Sequence, residues 1–324
     1  MSVEPHRNGK LKGAGVAAAH ANGKSAIAQT PRGAIEYSLD GEGPVVLAMH
    51  GTPGGYDQIL ALSGEISAAG FKIIGWSRPG YLRTQISVGR TFEEQADAAA
   101  HLLDTLGHDR VAIYGASGGG PAAIQFALRH PDRVWGLMLE CAIANQFPVS
   151  WRAKLAYVLL FNDIVLKLQG LYSKFALHRS VRGHVAGNGT LTDDEIEKLA
   201  ASIVGDPDRL QILDSLISAM SPARLRRRGI ENDAGQFETM AAPALDRIRC
   251  PALVIHGTAD AEVPFAHGEH AAKSIPGAEF YPVPGGIHLL WLTDDAPQIR
   301  ARKIAFLKRH APAHDVRASA ASVA

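Results

Sequence analysis

The chain has 324 residues, and its 33 Lys and Arg against 32 Asp and Glu leave a net charge of +1. So even a balance argues against nucleic acid or an anionic membrane as a partner held by net electrostatic attraction. Hydrophobic residues make up 46% and charged ones 20%, a globular mix that excludes a disordered chain or a coiled coil. Two cysteines, Cys141 and Cys250, exclude a disulfide scaffold and a four-cysteine zinc site. They read most simply as reduced thiols of a cytoplasmic protein.

Residues 1–25 are rich in Ala, Gly, Lys and His and lack the apolar stretch of a secretory signal. They are expected to form a flexible tail, as are residues 313–324. The most apolar run, Leu155 to Leu168, is broken by Asn162, Asp163 and Lys167. It falls short of the roughly 20 apolar residues a membrane span needs.

Between the tails a short apolar run recurs, followed by a glycine-rich turn and then a helical pattern. Val45–Met49 leads into His50-Gly-Thr-Pro-Gly-Gly55, and Phe71–Gly75 into Trp76-Ser-Arg-Pro-Gly80. Val111–Gly115 leads into Ala116-Ser-Gly-Gly-Gly120, and Val134–Leu139 and Ala252–His256 are runs of the same type. Continuous apolar runs suit strands buried on both faces. Thr91 and Glu94 have capping-box spacing, and Phe92, Ala96, Ala99, Leu103 and Leu106 make one apolar face before Gly107. The alternation predicts an α/β fold: a mostly parallel central sheet flanked by helices.

The pattern changes over residues 146–244, where strand signals vanish. Trp151–Phe175 is a long apolar helical pattern, Thr192-Asp-Asp-Glu195 opens a capped helix, and Arg224–Arg228 holds four basic residues in five. This stretch reads as a helical insertion into a core made of residues 26–145 and 245–312.

The chemistry starts at Gly115-Ala-Ser-Gly-Gly119. A serine hydroxyl becomes a nucleophile when it is exposed beside a base, and flanking glycines permit the sharp strand-to-helix turn that exposes it. The strand before Ser117 and the helical pattern after it supply that context, so Ser117 is the candidate nucleophile. The bland alternative is a glycine turn packing a helix on a sheet. Gly118 adds a backbone N–H at the helix start, where an oxyanion would form.

Downstream candidates for the base are His256, His267, His270 and His288. His256 ends a strand run, and His267 and His270 lie in a helical stretch where they are expected to be solvated. His288 follows a short strand, Glu279–Val283, on a loop opening a helix, and is the candidate base. Asp260, directly after a strand, is the candidate acid, with Glu262 and Glu140 as alternatives. A second oxyanion donor fits the N–H of Thr52, since Pro53 has none.

The order Ser117, Asp260, His288 resembles the α/β-hydrolase superfamily over roughly residues 27–307. His50-Gly-Thr-Pro-Gly54 and Gly257-Thr-Ala-Asp-Ala-Glu-Val-Pro264 resemble its motifs. The resemblance implies that the insertion is a helical cap over the active site. Many members carry Asp-Arg-Pro-Gly-Tyr-Gly-x-Ser after the third strand; here Ser77, Leu82 and Thr84 replace the Asp, the second Gly and the Ser. Members that are haloalkane dehalogenases or epoxide hydrolases use Asp at the elbow, and Ser117 argues against both.

The expected function is a serine hydrolase acting on a carboxylic ester of a small molecule, with no metal and no organic cofactor. Leu155, Val158, Leu159, Phe161, Ile164 and Leu166 are expected to pack the cap on the core, or to wall an apolar pocket. One alternative resembles the proline iminopeptidases and would need carboxylates such as Asp193, Asp194 and Glu195 to hold a free amine. The other is a ligand-binding receptor that keeps the fold. The residues carry no signal for oligomeric state.

Overall fold

The five apolar runs and the short stretch Glu279–Val283 form six parallel strands. The computed structural model describes residues 25–149 and 161–312. The expected tails, apart from Ser25, lie outside the described residues, as do Leu155, Val158 and Leu159.

An N-terminal hairpin, β1 (Ala26–Thr30) and β2 (Gly33–Asp40), precedes the parallel strands. These are β3 (Val45–Met49), β4 (Lys72–Trp76), β5 (Val111–Ala116), β6 (Val134–Glu140), β7 (Ala252–Gly257) and β8 (Glu279–Val283). The sheet order is β1-β2-β4-β3-β5-β6-β7-β8, with β2 antiparallel to both neighbours. Every residue of β3, β5, β6 and β7 is buried, because helices cover both faces.

Alternate residues of each strand feed the two covered faces. Leu47, Met49, Ile113, Leu137 and Val254 pack with helices α2 (Phe92–Thr105), α3 (Gly120–Arg129) and α9 (Ala266–Ser274). Val46, Ala48, Ala112, Met138 and Ile255 pack with α1 (Tyr56–Ala68) and α10 (Ala296–His310). The capping box at α2 forms as its spacing predicts, with Thr91 and Glu94 each accepting the other's backbone N–H at 3.2 Å.

The described residues between β6 and β7 form α4 (Asp163–Phe175), α5 (Leu177–Asn188), α6 (Asp193–Val204), α7 (Pro207–Ser218) and α8 (Arg227–Thr239). Val181, Val185, Ile196, Ile203 and Leu213 make a third apolar cluster that reaches Ile287 and Leu292 of the sheet-bearing part. Helix α4 departs from expectation. It buries Leu166 alone, leaving Ile164 72% and Phe175 84% exposed. Ile164 therefore neither packs on the core nor walls a pocket, because α4 turns most of its apolar side chains outward.

Candidate active site

Ser117 sits where β5 stops and a turn into α3 begins. Its φ of 50° is left-handed, a conformation that costs an L-residue about 1–3 kcal/mol and persists only where the surroundings enforce it. The adjoining glycines let the elements close. A Cβ on Gly115 would lie 2.6 Å from Ala123 Cβ, and one on Gly119 would lie 2.6 Å from the carbonyl oxygen of His50. Only glycine permits α3 and the β3 loop to approach this tightly.

His288 reaches Ser117 from the loop after β8. Its Nε2 is 3.0 Å from Ser117 Oγ and its Nδ1 is 2.8 Å from Asp260 Oδ2. With its proton on Nδ1, the imidazole donates to the carboxylate and offers the Nε2 lone pair to the serine O–H. The backbone N–H of His288 donates to Asn188 O at 2.9 Å, and Gly189 bridges to Asp260. The end of α5 thus ties together the loops that carry His288 and Asp260.

Asp260 occupies the loop after β7. Its Oδ1 accepts the backbone N–H groups of Glu262 and Val263, each at 2.9 Å. Burial by itself would raise its carboxyl pKa. Hydrogen bonds from His256 and His288, the charge of His288 and the Val263 N–H outweigh that and hold it well below the usual carboxylate range. His256 ends its strand as expected, but it also reaches this site: Nε2 donates to Val263 O at 2.9 Å and lies 3.4 Å from Asp260 Oδ2. Neither alternative acid pairs with His288. Glu140 accepts from Tyr114 and Lys303, while Glu262 contributes its backbone N–H to Asp260.

The expectation that His267 is solvated is wrong. It is 9% exposed, accepts the Ala144 N–H on Nδ1 at 3.2 Å, and is pushed down to about 4, chiefly by burial. Helical spacing identifies a face, but whether that face is covered depends on what folds over it; here the chain after β6 does.

The loop Gly51–Gly55 lies against the serine turn: a Cβ on Gly51 would sit 3.1 Å from Ser117 Cβ. Thr52, Gly118, Ser117 and His288 all line one cavity of about 680 Å³. Its walls are mostly apolar, with Leu213, Leu216, Met220, Ile230 and Phe237 contributed by the segment between β6 and β7. His184, Asn188, Glu231 and Glu262 are polar groups on its lining.

A buried polar cluster, absent from the sequence reading, holds the same loop. Arg78 and Asp233 form an ion pair with both side chains at 0% exposure. Asp233 also accepts from Thr52 Oγ1 and from Tyr81 OH, each at 2.6 Å. Arg226, equally buried, donates to Gly54 O at 2.6 Å and to both oxygens of Asp57. The Arg-Pro-Gly-Tyr segment after β4 signals Arg78 and Tyr81, but no local pattern marks Asp233. Leu82, where the family motif has glycine, takes a φ of 51°.

A family profile for the alpha/beta hydrolase fold matches residues 44–181. An alpha/beta hydrolase fold protein from Nakamurella multipartita superposes with a TM-score of 0.82 at 33% identity, covering 88% of this chain and 99% of that one. The uncharacterized hydrolase YcgS of Bacillus subtilis is 28% identical over 284 residues, 85% of this chain and 95% of YcgS. A 2-hydroxy-6-oxononadienedioate/2-hydroxy-6-oxononatrienedioate hydrolase of Dechloromonas aromatica is 29% identical over 265 residues, 76% of this chain and 81% of that protein. With the sheet order, the serine turn and these likenesses together, the chain belongs to the alpha/beta hydrolase family of enzymes.

Proposed function

We propose that the protein is a serine hydrolase that cleaves carboxylic esters of small, largely apolar molecules. The observation that carries this reading is the 3.0 Å approach of His288 Nε2 to Ser117 Oγ at the wall of a mostly apolar cavity. In this reaction Ser117 attacks the ester carbonyl carbon while His288 takes its proton. Asp260 keeps the Nδ1 tautomer and stabilises the imidazolium. Backbone N–H groups of Thr52 and Gly118 hold the tetrahedral oxyanion. His288 then returns the proton to the departing alkoxide and leaves an acyl-Ser117. Water, deprotonated by His288, attacks that ester and releases the acid.

The cavity favours an uncharged substrate over the dienedioates named for the Dechloromonas relative. Among the described residues its lining holds no Lys or Arg, and it does hold Glu231 and Glu262. Among the described lining residues a dianion would meet two carboxylates, of which Glu231 is paired with Arg227 at 2.8 Å, and no Lys or Arg. The aminopeptidase alternative loses the acids expected to bind an amine. Asp193 pairs with Arg182, Glu195 serves the α6 capping box, and none of Asp193, Asp194 or Glu195 lines the cavity.

The test is labelling with a fluorophosphonate together with turnover of p-nitrophenyl esters of graded acyl length. Ser117→Ala should abolish both. Labelling that persists in the variant, or faster turnover of an amino-terminal prolyl amide than of any ester, would overturn the reading.

A further inference from the structure

We propose that Asp233, on α8, is a positioning residue for the oxyanion loop, acting through the hydroxyl of Thr52. The inference rests on the serine-hydrolase reading, in which the Thr52 N–H is an oxyanion donor.

The carboxylate of Asp233 is fixed before it meets Thr52. Both terminal nitrogens of Arg78 donate to it, and Tyr81 OH donates to Oδ2 at 2.6 Å. Arg78, Tyr81 and Asp233 are all fully buried. Arg78 is itself held by Gln95 Oε1 at 3.1 Å and by the His50 carbonyl at 3.0 Å. Burial and the charge of Asp233 raise the pKa of Tyr81, which keeps its hydroxyl a donor.

On this fixed acceptor Thr52 places its Oγ1, 2.6 Å from Asp233 Oδ2. The same oxygen lies 3.2 Å from Arg78 Nη2 and 3.3 Å from Tyr81 OH. The preceding residue is held independently. Gly51 N–H donates to Gln58 Oε1 at 2.9 Å, and Gly51 O accepts from His50 Nδ1 at 2.7 Å. His50 is neutral, because burial and the Arg78 charge lower its pKa, and its Nε2 accepts the Arg78 backbone N–H. The Gly51 anchors all come from residues 50–58. The side chain of Thr52, by contrast, is anchored in the segment between β6 and β7, 181 residues away, which also holds Gly54 O through Arg226.

An oxyanion donor works only when it is aimed at the developing charge before reaction, and a misplacement of about 1 Å can cost 10²-fold. The Gly51 carbonyl and the Thr52 N–H share one planar peptide, which His50 Nδ1 holds at its carbonyl end. Tying Oγ1 to an immobile carboxylate holds the other end, at the Thr52 Cα, so that the N–H keeps one direction. The arrangement also makes oxyanion geometry depend on the seating of α8, whose residues Ile230, Ala234 and Phe237 line the substrate cavity.

The experiment compares Thr52→Val, which keeps the N–H and the shape but loses the hydroxyl, with Thr52→Ser, which keeps the hydroxyl. Each is measured for kcat and KM on a p-nitrophenyl ester. Each is also measured for affinity toward an aryl trifluoromethyl ketone, which Ser117 captures as an oxyanion, and toward the matching methyl ketone. Thr52→Val should lose roughly 10-fold or more in kcat, within the 10²–10³ cost of removing a whole donor, with KM within about twofold. Trifluoromethyl ketone affinity should fall in parallel, methyl ketone affinity should hold, and Thr52→Ser should stay near parental. Asp233→Asn should lower kcat in the parent and add little to Thr52→Val.

Parental kcat in Thr52→Val overturns the proposal, and so does an equal loss of affinity for both ketones. If Asp233→Asn does not fold, the two Thr52 variants decide alone. Hydrolysis that survives Ser117→Ala would overturn the underlying reading. Ser117-dependent hydrolysis with a parental Thr52→Val overturns only the role of Asp233.

Discussion

Lys303 Nζ lies 3.1 Å from Glu140 Oε2, with both side chains 1% exposed. Lys303 also pairs with Glu65 at 2.8 Å, and Tyr114 OH donates to Glu140 at 2.7 Å. The carboxylate that ends β6 is thus committed to Lys303 on α10 and Tyr114 on β5, so Glu140→Gln should keep parental turnover. Removing the cation is another matter. Lys303→Ala leaves a buried carboxylate without its counter-ion and should cost about 3–5 kcal/mol in urea unfolding. Burial lowers the Lys303 pKa, but the charges of Glu140 and Glu65 outweigh it and hold the ammonium above the ordinary lysine range. Its stabilisation is therefore fully present below about pH 10 and is lost as pH rises through the raised folded value.

Asp260→Asn should lose about 10⁴-fold in kcat with little change in fold, because an amide N–H turned toward His288 favours the wrong tautomer. The carboxyl of Asp260 stays ionised well below the usual range. Its contribution to stability is present above about pH 4 and disappears only as pH falls through that depressed value. A kinetic comparison of Asp260→Asn with Glu262→Gln checks the assignment. Near-parental turnover in the first and loss in the second would transfer the role to Glu262.

His267 makes the folded protein acid-sensitive. Burial pushes its pKa down to about 4, while in the unfolded chain it titrates near ~6.5. Between those values the unfolded state binds more protons, so stability falls as pH falls. At pH 5 the loss from this one residue should be about 2 kcal/mol relative to pH 7. Urea midpoints of the parent and His267→Gln at the two pH values measure it. The parent should show a difference between pH 7 and pH 5 that the variant lacks.

EDTA should leave ester turnover unchanged, since nucleophile, base and oxyanion donors in the proposed reaction are all protein groups. Loss of activity that a divalent metal restores would count against that reaction.

Much of this was written locally. The buried strands β3 to β7 announce themselves as apolar runs, because a strand covered on both faces needs no polar alternation. The hairpin β1–β2 escapes that signal: at the sheet edge it mixes buried residues with exposed and half-buried ones, and in Ala26-Ile-Ala-Gln-Thr30 only Ala28 is buried. Ser117 and His288 stood out as candidates because a strand-to-helix turn and a post-strand loop are short-range features. Asp260 stood first with Glu140 and Glu262 as alternatives, since all three follow or end strands; which of them lies beside His288 depends on the fold, where Asp260 Oδ2 is 2.8 Å from Nδ1. The burial of His267 and the exposure of Ile164 were likewise decided by what packs on each helix, which helical periodicity does not specify. Asp233 is the extreme case. A polar residue on a helix reads as solvated until Arg78, Tyr81 and Thr52, more than 150 residues earlier, close around it. Local conformation follows from neighbouring residues, but the pairing of buried charges depends on long-range topology, and only the tertiary structure brings those groups together.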